Sequence, residues 1–520
     1  MNKTVAILGG GVAGLSAAQE LVERGFHVTV YEKGSVPGGK ARSMPFKGSG
    51  KNGRKDLPGE HGFRFFPRFY RHIIDTMKRI KLDDGRSSVA DNLVGAVMEQ
   101  TTFPKRPPVL SMARFPRSLR DIRVMIKSMR DDLGVPADEA EYFADRFWQF
   151  MTSCDERRLA EYERLGWWQY IGAENMSDAY QQYFGLGLTR STVAARADLA
   201  STRTIGQVGE QFFLDTIRPG RSNDNVLDGP TNDVWIDPWI KYLERVAKRT
   251  GSFNYNLRSK VTSITCDTKT KRITSVTVQG PNDAEEVVAD FFLFAIPVEA
   301  MAKLLQSDYH PDNPPRQRYT NVLYADNTLA FILDLAKNVE WMNGIQFYLK
   351  NDVKLVEGHT NYMGTPWALS SISQAQFWKN FNFSDYADGT VKGILSVDIS
   401  DWFSTDDNNQ AASKSDPEYI ARSTWEQLCQ GQNHNGAEVL PPFEQLHSWH
   451  LDPDIHYENG SNGRADSEAG GTPVKRQLAD SEVLLVNLKA TWAKRPQAYT
   501  DIENMFLASD YVQTNTDLAT

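Results

Sequence analysis

Residues 4–32 read TVAILGGGVAGLSAAQELVERGFHVTVYE. Thr4–Leu8 is β-branched and apolar, Gly9–Gly14 is a glycine-rich turn, and Leu15–Arg24 carries an apolar face at helical spacing. Phe26–Tyr31 then reads as a second strand. Strand, glycine turn, helix and strand within about 30 residues is the layout of a dinucleotide-binding βαβ unit. Gly9 allows the tight turn and Gly11 lets the backbone approach a pyrophosphate. Val12 and Ala13 open the helix, whose N–H groups face the phosphates, and Gly14 permits close helix–strand packing. Glu32 closes the second strand, 18 residues beyond Gly14. A carboxylate there accepts hydrogen bonds from ribose hydroxyls and repels a 2′-phosphate, so FAD or NAD fits better than NADP.

The whole chain agrees with such a domain embedded in a larger protein. Its 520 residues imply two or three domains, and 58 Lys+Arg against 66 Asp+Glu give a net charge of −8, which argues against a nucleic-acid binder. The three cysteines, Cys154, Cys266 and Cys429, form no CxxC pair, which excludes disulfide and zinc scaffolds and fits single thiols in a reducing, cytoplasmic setting. No run reaches the ~18 apolar residues of a membrane span.

Beyond residue 32 the pattern changes. Residues 86–225 read as a mainly helical insertion rich in large aromatics. Trp235–Arg249 is a further amphipathic helix with Pro238 in its first turn. Lys260–Cys266 and Ile273–Gln279 read as paired strands, Phe291–Ile296 as a buried strand and Val298–Leu305 as a helix. Val483–Leu488 and Met505–Ala508 read as closing strands.

Gly38-Gly39-Lys40-Ala41-Arg42 follows Glu32-Lys33 and puts a second glycine turn and two cations beside the pyrophosphate, which favours FAD over NAD. The run Val5–Ser43 resembles the N-terminal signature of the FAD-dependent amine oxidase and phytoene desaturase superfamily. Gly59-Glu60-His61-Gly62-Phe63-Arg64-Phe65-Phe66 resembles the family segment that passes close to the isoalloxazine ring. Met505–Tyr511 (MFLASDY) resembles the C-terminal motif whose aspartate, here Asp510, contacts the ribityl or phosphate part of FAD. Val261 and Ala289–Pro297 supply a middle element. The resemblance is stronger to the carotenoid desaturase and hydroxysqualene dehydroxylase branch than to the monoamine oxidases. It implies that Gly9, Gly11, Val12, Ala13, Gly14, Glu32, Lys33, Gly39, Lys40, Arg42, Gly62, Phe63, Val261 and Asp510 bind the cofactor. Ser509 stands where the family has glycine, a small change. Family members continue into a helix facing the flavin, whereas this sequence stops at Thr520, so a downstream segment or a partner chain is expected to complete the site.

Flavin supplies redox chemistry itself, so the protein need only bind, orient and tune. Glu60, His61 and Arg64 are the catalytic candidates: the first two for proton handling, the third to stabilise charge on reduced flavin or to form a structural ion pair. Glu60 and His61 are equally readable as a loop cap and a structural hydrogen-bond donor. His447, His450 and His456 are interrupted by Pro453 and imply no metal. The aromatics of 147–183, with Trp341, Trp367 and Trp378, read first as core and second as an apolar substrate tunnel. Residues 105–130 carry eight cations against Asp121, with apolar residues between, the pattern of a basic amphipathic helix that packs on the core or rests on an anionic membrane surface.

The expected fold is α/β. A Rossmann-type FAD domain would be built from 1–85, 226–305 and 481–520, and a substrate domain of helices over a mixed sheet from 86–225 and 306–480. The resemblance implies an FAD-dependent oxidoreductase that desaturates a hydrophobic, isoprenoid-like substrate. The alternatives are an amine oxidase that yields an imine with oxygen as acceptor, a dehydroxylase running on reduced flavin, and a flavin-binding subunit completed by a partner chain.

Overall fold

The computed structural model describes residues 3–104, 106–114, 134–190, 194–220, 222–306, 321–353, 355–433, 436–458 and 477–514. Five parallel strands form a doubly wound sheet in the order Met505–Leu507, Phe291–Phe294, Thr4–Leu8, His27–Tyr31, Ser252–Asn256. Thr4–Leu8 lies at its centre, so Val5, Ala6, Ile7 and Leu8 are all buried, as a parallel strand covered on both faces requires. One face is covered by helix Val12–Glu23 and by helix Asp237–Thr250, which starts with Pro238. The two helices are tied by a buried hydrogen bond from Trp239 Nε1 to Gln19 Oε1, 2.8 Å. The other face packs on the antiparallel sheet Lys260–Asp267, Arg272–Gln279, Ala284–Val287 and on helix Val298–Gln306. Each large apolar side chain buried in these layers contributes about 1.5–3 kcal/mol over exposure. The α/β Rossmann-type architecture read from the glycine turn is therefore the one observed.

A second, mixed sheet has seven strands in the order Ser448–Leu451, Asn343–Leu349, Gly393–Ile399, Leu369–Ser373, His359–Tyr362, Met98–Phe103, Arg106–Met112. Neighbours are antiparallel except His359–Tyr362 with Met98–Phe103. Its central strands are buried along their whole length, one face packing on Trp425 and Leu428 of helix Pro417–Gln432. Phe150, Tyr162, Trp167, Tyr170 and Tyr180 form a separate helical core.

Three readings need correction. Residues 86–225 are not mainly helical at their start, because Met98–Phe103 and Arg106–Met112 are strands of the large sheet. The basic helix expected over 105–130 does not begin there: Pro107 and Pro108 forbid helix interior but suit the edge strand that Arg106–Met112 forms. Lys105 and residues 115–130 lie outside the described residues. In Val483–Leu488 only Leu484–Leu485 is a strand, pairing with Val339–Glu340. Beyond Leu485 the chain turns toward the helical core, where Val486 and Leu488 pack, and the Leu488 N–H donates back to the Val486 carbonyl (3.2 Å), a turn contact rather than a ladder bond. Among the described residues, no helix is long and apolar enough to cross a membrane.

Candidate active site

The glycine turn is closed from three sides. Gly9 has φ +107°, and a Cβ there would lie 2.2 Å from the Ala295 carbonyl oxygen, while one on Gly14 would lie 2.0 Å from that of Gly9. The second turn, Gly38-Gly39, bridges to Gly11, with both its glycines at positive φ. Gly11 is the N-cap of the helix, and neither a side-chain cap nor an acidic residue in the first turn competes for its N–H groups. The cradle thus leaves the backbone donors of Val12 and Ala13 to a ligand and suits a pyrophosphate.

Glu32 is buried. Its carboxylate accepts from the N–H of Gly10 (2.8 Å) and of Gly34 (2.7 Å). Two of its roughly four acceptor positions are used, which leaves room for ribose hydroxyls. Ser259 N–H donates to the Glu32 carbonyl (2.8 Å), bringing the strand that begins with Lys260 and Val261 to the same end of the sheet.

The cations around the cradle are all engaged. Lys33 pairs with buried Glu482 (2.9 Å), Arg42 with Asp454 and, at 3.7 Å, with Glu482, and Lys40 donates to the Val483 carbonyl. Glu299, raised by burial, sits in the fields of Lys40, Asp510 and Glu482. Asp510, just beyond the strand Met505–Leu507, accepts from Arg495 Nη1 through its carbonyl (2.8 Å) and from Ser509 Oγ through its carboxylate (3.1 Å). Residues spread over the whole chain therefore converge at the C-terminal ends of the parallel strands, where ligands of open α/β sheets bind.

The segment Gly59–Phe66 carries the three catalytic candidates across to the second sheet. Leu57–Glu60 pairs with Ser43–Phe46, then the chain passes between Gly344 and Asp398. A Cβ on Gly62 would lie 2.5 Å from Asp398 Oδ1, and one on Gly344 would lie 2.8 Å from the Gly62 Cα, so glycine is needed at both. Burial pushes the Glu60 carboxyl up to about 7, against the pull of Arg64 and the Thr231 N–H, which donates to Oε1 at 3.0 Å. The other oxygen, Oε2, is buried and has no hydrogen-bond partner among the described residues. Asp398 is likewise raised to about 7 by burial, against Arg64 and His61.

His61 behaves differently. Burial alone would push its ring down, but contact with Asp452 and the carboxylate of Asp454, 3.4 Å away, overturns this and holds the ring up at about 9. The ring is thus a fixed cation at neutral pH. Its Nδ1 and one oxygen each of Asp452 and Asp454 lie within 4.8 Å of one another, a cluster in which the two carboxylates favour the protonated ring. Arg64 is buried, which lowers its pKa, and its guanidinium donates to the carbonyls of Gly62 (2.8 Å) and Lys40, tying the two glycine segments together.

Glu60 and Arg64 border a pocket whose other walls include Val226, Leu227, Ile372, Phe377 and Trp378. Phe63 is buried in the same apolar cluster, its ring 4.8 Å from that of His359. Of the aromatics read as core or tunnel, Trp167 and Trp367 are core, and Trp378 reaches the pocket. The three histidines of 447–456 face separate partners: His447 contacts Asp388, His450 stacks on Phe46, and His456 lies against the Asp454 carbonyl. Sequence reasoning missed Asp398, Asp452 and Asp454. The last two stood in Leu451-Asp452-Pro453-Asp454, beside a His-rich stretch weighed only as a metal motif.

The family described as flavin containing amine oxidoreductase matches residues 12–516. The chain belongs to that family. Curated carotenoid enzymes match parts of it. It is 38% identical over 156 residues to the all-trans-zeta-carotene desaturase of Myxococcus xanthus, covering 27% of this chain and 28% of that protein. It is 39% identical over 69 residues to the carotenoid phi-ring synthase of Chlorobaculum tepidum, covering 13% and 10%. The matched stretches thus span well under a third of either relative. Putrescine oxidase bound to putrescine shares the fold of this chain, with a TM-score of 0.58 at 13% identity over 100% of this chain and 96% of that one. An oxidoreductase from Methanosarcina mazei superposes with a TM-score of 0.56 at 12% identity, over 99% and 98%.

Proposed function

We propose that the chain binds FAD and dehydrogenates a hydrophobic, isoprenoid-like substrate, creating a carbon–carbon double bond. The observation that carries this reading is the partial likeness to a zeta-carotene desaturase, together with the family match over residues 12–516. The apolar side chains Val226, Leu227, Ile372, Phe377 and Trp378 around Glu60 enclose only about 10 Å³, which keeps the carboxyl dry without holding an alkyl chain. The positive-φ glycines, the uncapped helix start and the spare acceptor capacity of Glu32 fit a bound FAD. When bound, the flavin supplies the two-electron acceptor. Gly9, Gly11, Gly39, Val12 and Ala13 would hold its pyrophosphate, Glu32 and Val261 its adenosine end, Asp510, Lys40 and Arg42 its middle, and Gly62 and Phe63 would flank its ring.

Glu60 holds or releases a proton at Oε2, the oxygen that the Thr231 N–H leaves alone. Arg64 fixes the loop and lends positive charge to the same space. His61, charged and pinned by Asp452, positions the segment rather than exchanging protons. The apolar walls exclude water from Glu60 and keep its carboxyl poised between charge states.

The test begins with the visible spectrum of the purified protein. Near-stoichiometric oxidised flavin is expected, bleached anaerobically by polyenes. Bleaching by amines, with hydrogen peroxide release in air, would select amine oxidation instead. A colourless protein that takes up no added FAD would sink both readings and favour a subunit completed by a partner chain.

A further inference from the structure

Helix Arg71–Arg79 borders a cavity of about 520 Å³ that none of the chemistry above uses. Its wall includes Arg68, Arg71, His72, Asp75, Lys78 and Asn225. Positions 71, 75 and 78 follow the i, i+4, i+7 spacing of one helix face, so two fixed cations project from that face, with His72 beside them. A like-charged face normally recruits acids, and Asp75 is the acid of this wall, yet it is turned toward Arg79 Nε, 3.7 Å away. Among the described residues Arg71, His72 and Lys78 have no ion-pair partner, and the first two are exposed along with Lys78. Arg68 is held in the wall by the carbonyls of Arg218 (3.2 Å) and Pro219 (3.4 Å), and the buried carboxyl of Asp215 faces Arg68, Arg218 and Arg71 together, one acid against three guanidinium groups. The N-terminus of the nine-residue helix lacks a side-chain cap and adds its own positive potential beside Arg71.

We propose that this cavity binds a phosphate ester, one or two phosphates carried by a soluble molecule or by a lipid headgroup. Guanidinium groups recognise phosphate oxygens through paired donors, and Lys78 supplies a compact charge alongside. The volume exceeds that of one phosphate and falls in the range of small-molecule sites. Asn225, at its back, begins the strand Asn225–Leu227, whose next two residues line the pocket beside Glu60. The phosphate site and the reaction pocket thus share a wall, although the inference does not depend on which substrate is oxidised.

The test uses the full chain loaded with flavin, so that the glycine cradle is filled and cannot take the probe. Inorganic diphosphate is titrated by calorimetry at low salt, and in a second arm the protein is sedimented with vesicles of phosphatidylcholine, with and without phosphatidylglycerol. Binding is expected in at least one arm and should weaken about tenfold or more in Arg71→Ala/Lys78→Ala and in Arg68→Gln. Arg422→Ala, at a distant exposed ion pair, should bind as the parent does. Diphosphate binding alone would assign a soluble ligand, and phosphatidylglycerol-dependent sedimentation alone a lipid headgroup. Binding in neither arm, or equal binding by the folded Arg71→Ala/Lys78→Ala variant, would overturn the proposal.

Discussion

The glycine cradle of residues 9–14 and the loop of residues 59–66 both end at the same site, but they are built on different physics. The cradle is contiguous, and its geometry follows from missing side chains: Gly9 and Gly14 pack so closely on carbonyl oxygens that a methyl group has no space. The loop is held by distant partners, with Gly62 against Asp398, His61 against Asp452 and Glu60 against Thr231. Steric exclusion is local and admits one residue type, whereas the charge states of the loop depend on burial and on carboxylates hundreds of residues away. A binding motif can thus be read from spacing, and the acid–base character beside it cannot.

The sharpest way to break the cradle is Gly14→Ala. It should cost more than about 4 kcal/mol and abolish flavin retention, because its methyl group would meet backbone rather than a movable side chain. Urea unfolding and the flavin absorbance of the purified variant check this, and a yellow protein of parental stability would mean that the turn is not rigid. On the loop side, Asp452→Asn should cost about 3–5 kcal/mol, since it leaves the buried cationic ring only the more distant carboxylate of Asp454, 3.4 Å away. The pH dependence of unfolding gives the sign. The His61 ring titrates at about 9 in the folded chain against 6.5 ordinarily, so the pair's stabilisation is complete below pH 6.5 and fades as pH rises through 9. That slope should shrink in Asp452→Asn, where Asp454 alone still faces the ring.

Glu60→Gln separates chemistry from structure. Turnover should fall about 100-fold while bound flavin and fold persist, and the limb of the parent's rate profile near pH 7 should disappear. An unchanged profile would assign that limb elsewhere, with Asp398 the next group to examine. The smallest effect belongs to the cradle's far edge, where Ser509→Gly should shift stability by no more than about 0.5 kcal/mol, measurable by thermal melting.

Legibility along the chain follows the same division. Strands and helices of the nucleotide-binding part could be read because each buries a continuous apolar face with its own period, as in Val5–Leu8 and Leu15–Val22. Met98–Phe103 and Arg106–Met112 escaped because their partners are His359–Tyr362 and each other, in a sheet whose strands come from widely separated stretches. Val483–Leu488 looked like one strand because five of its six residues are apolar, yet only Leu484–Leu485 finds a partner strand, in Val339–Glu340. Glu60, His61 and Arg64 could be chosen by position in a familiar segment. What distinguishes them, a poised acid, a fixed cation and a loop tie, came from Thr231, Asp452 and the Lys40 carbonyl.

By itself, the order of residues determined that this protein has a parallel nucleotide-binding sheet with a glycine-closed phosphate cradle and an acid at the end of its second strand. Those features are written in neighbouring residues, through hydrophobic period and the absence of a Cβ. Only the tertiary structure decided that Glu60 and Asp398 are buried to the edge of ionisation, that His61 keeps its proton at neutral pH, and that a basic cavity shares a wall with the apolar pocket. Desolvation and charge pairing are properties of what surrounds a group, and here the surroundings arrive from the far ends of the chain.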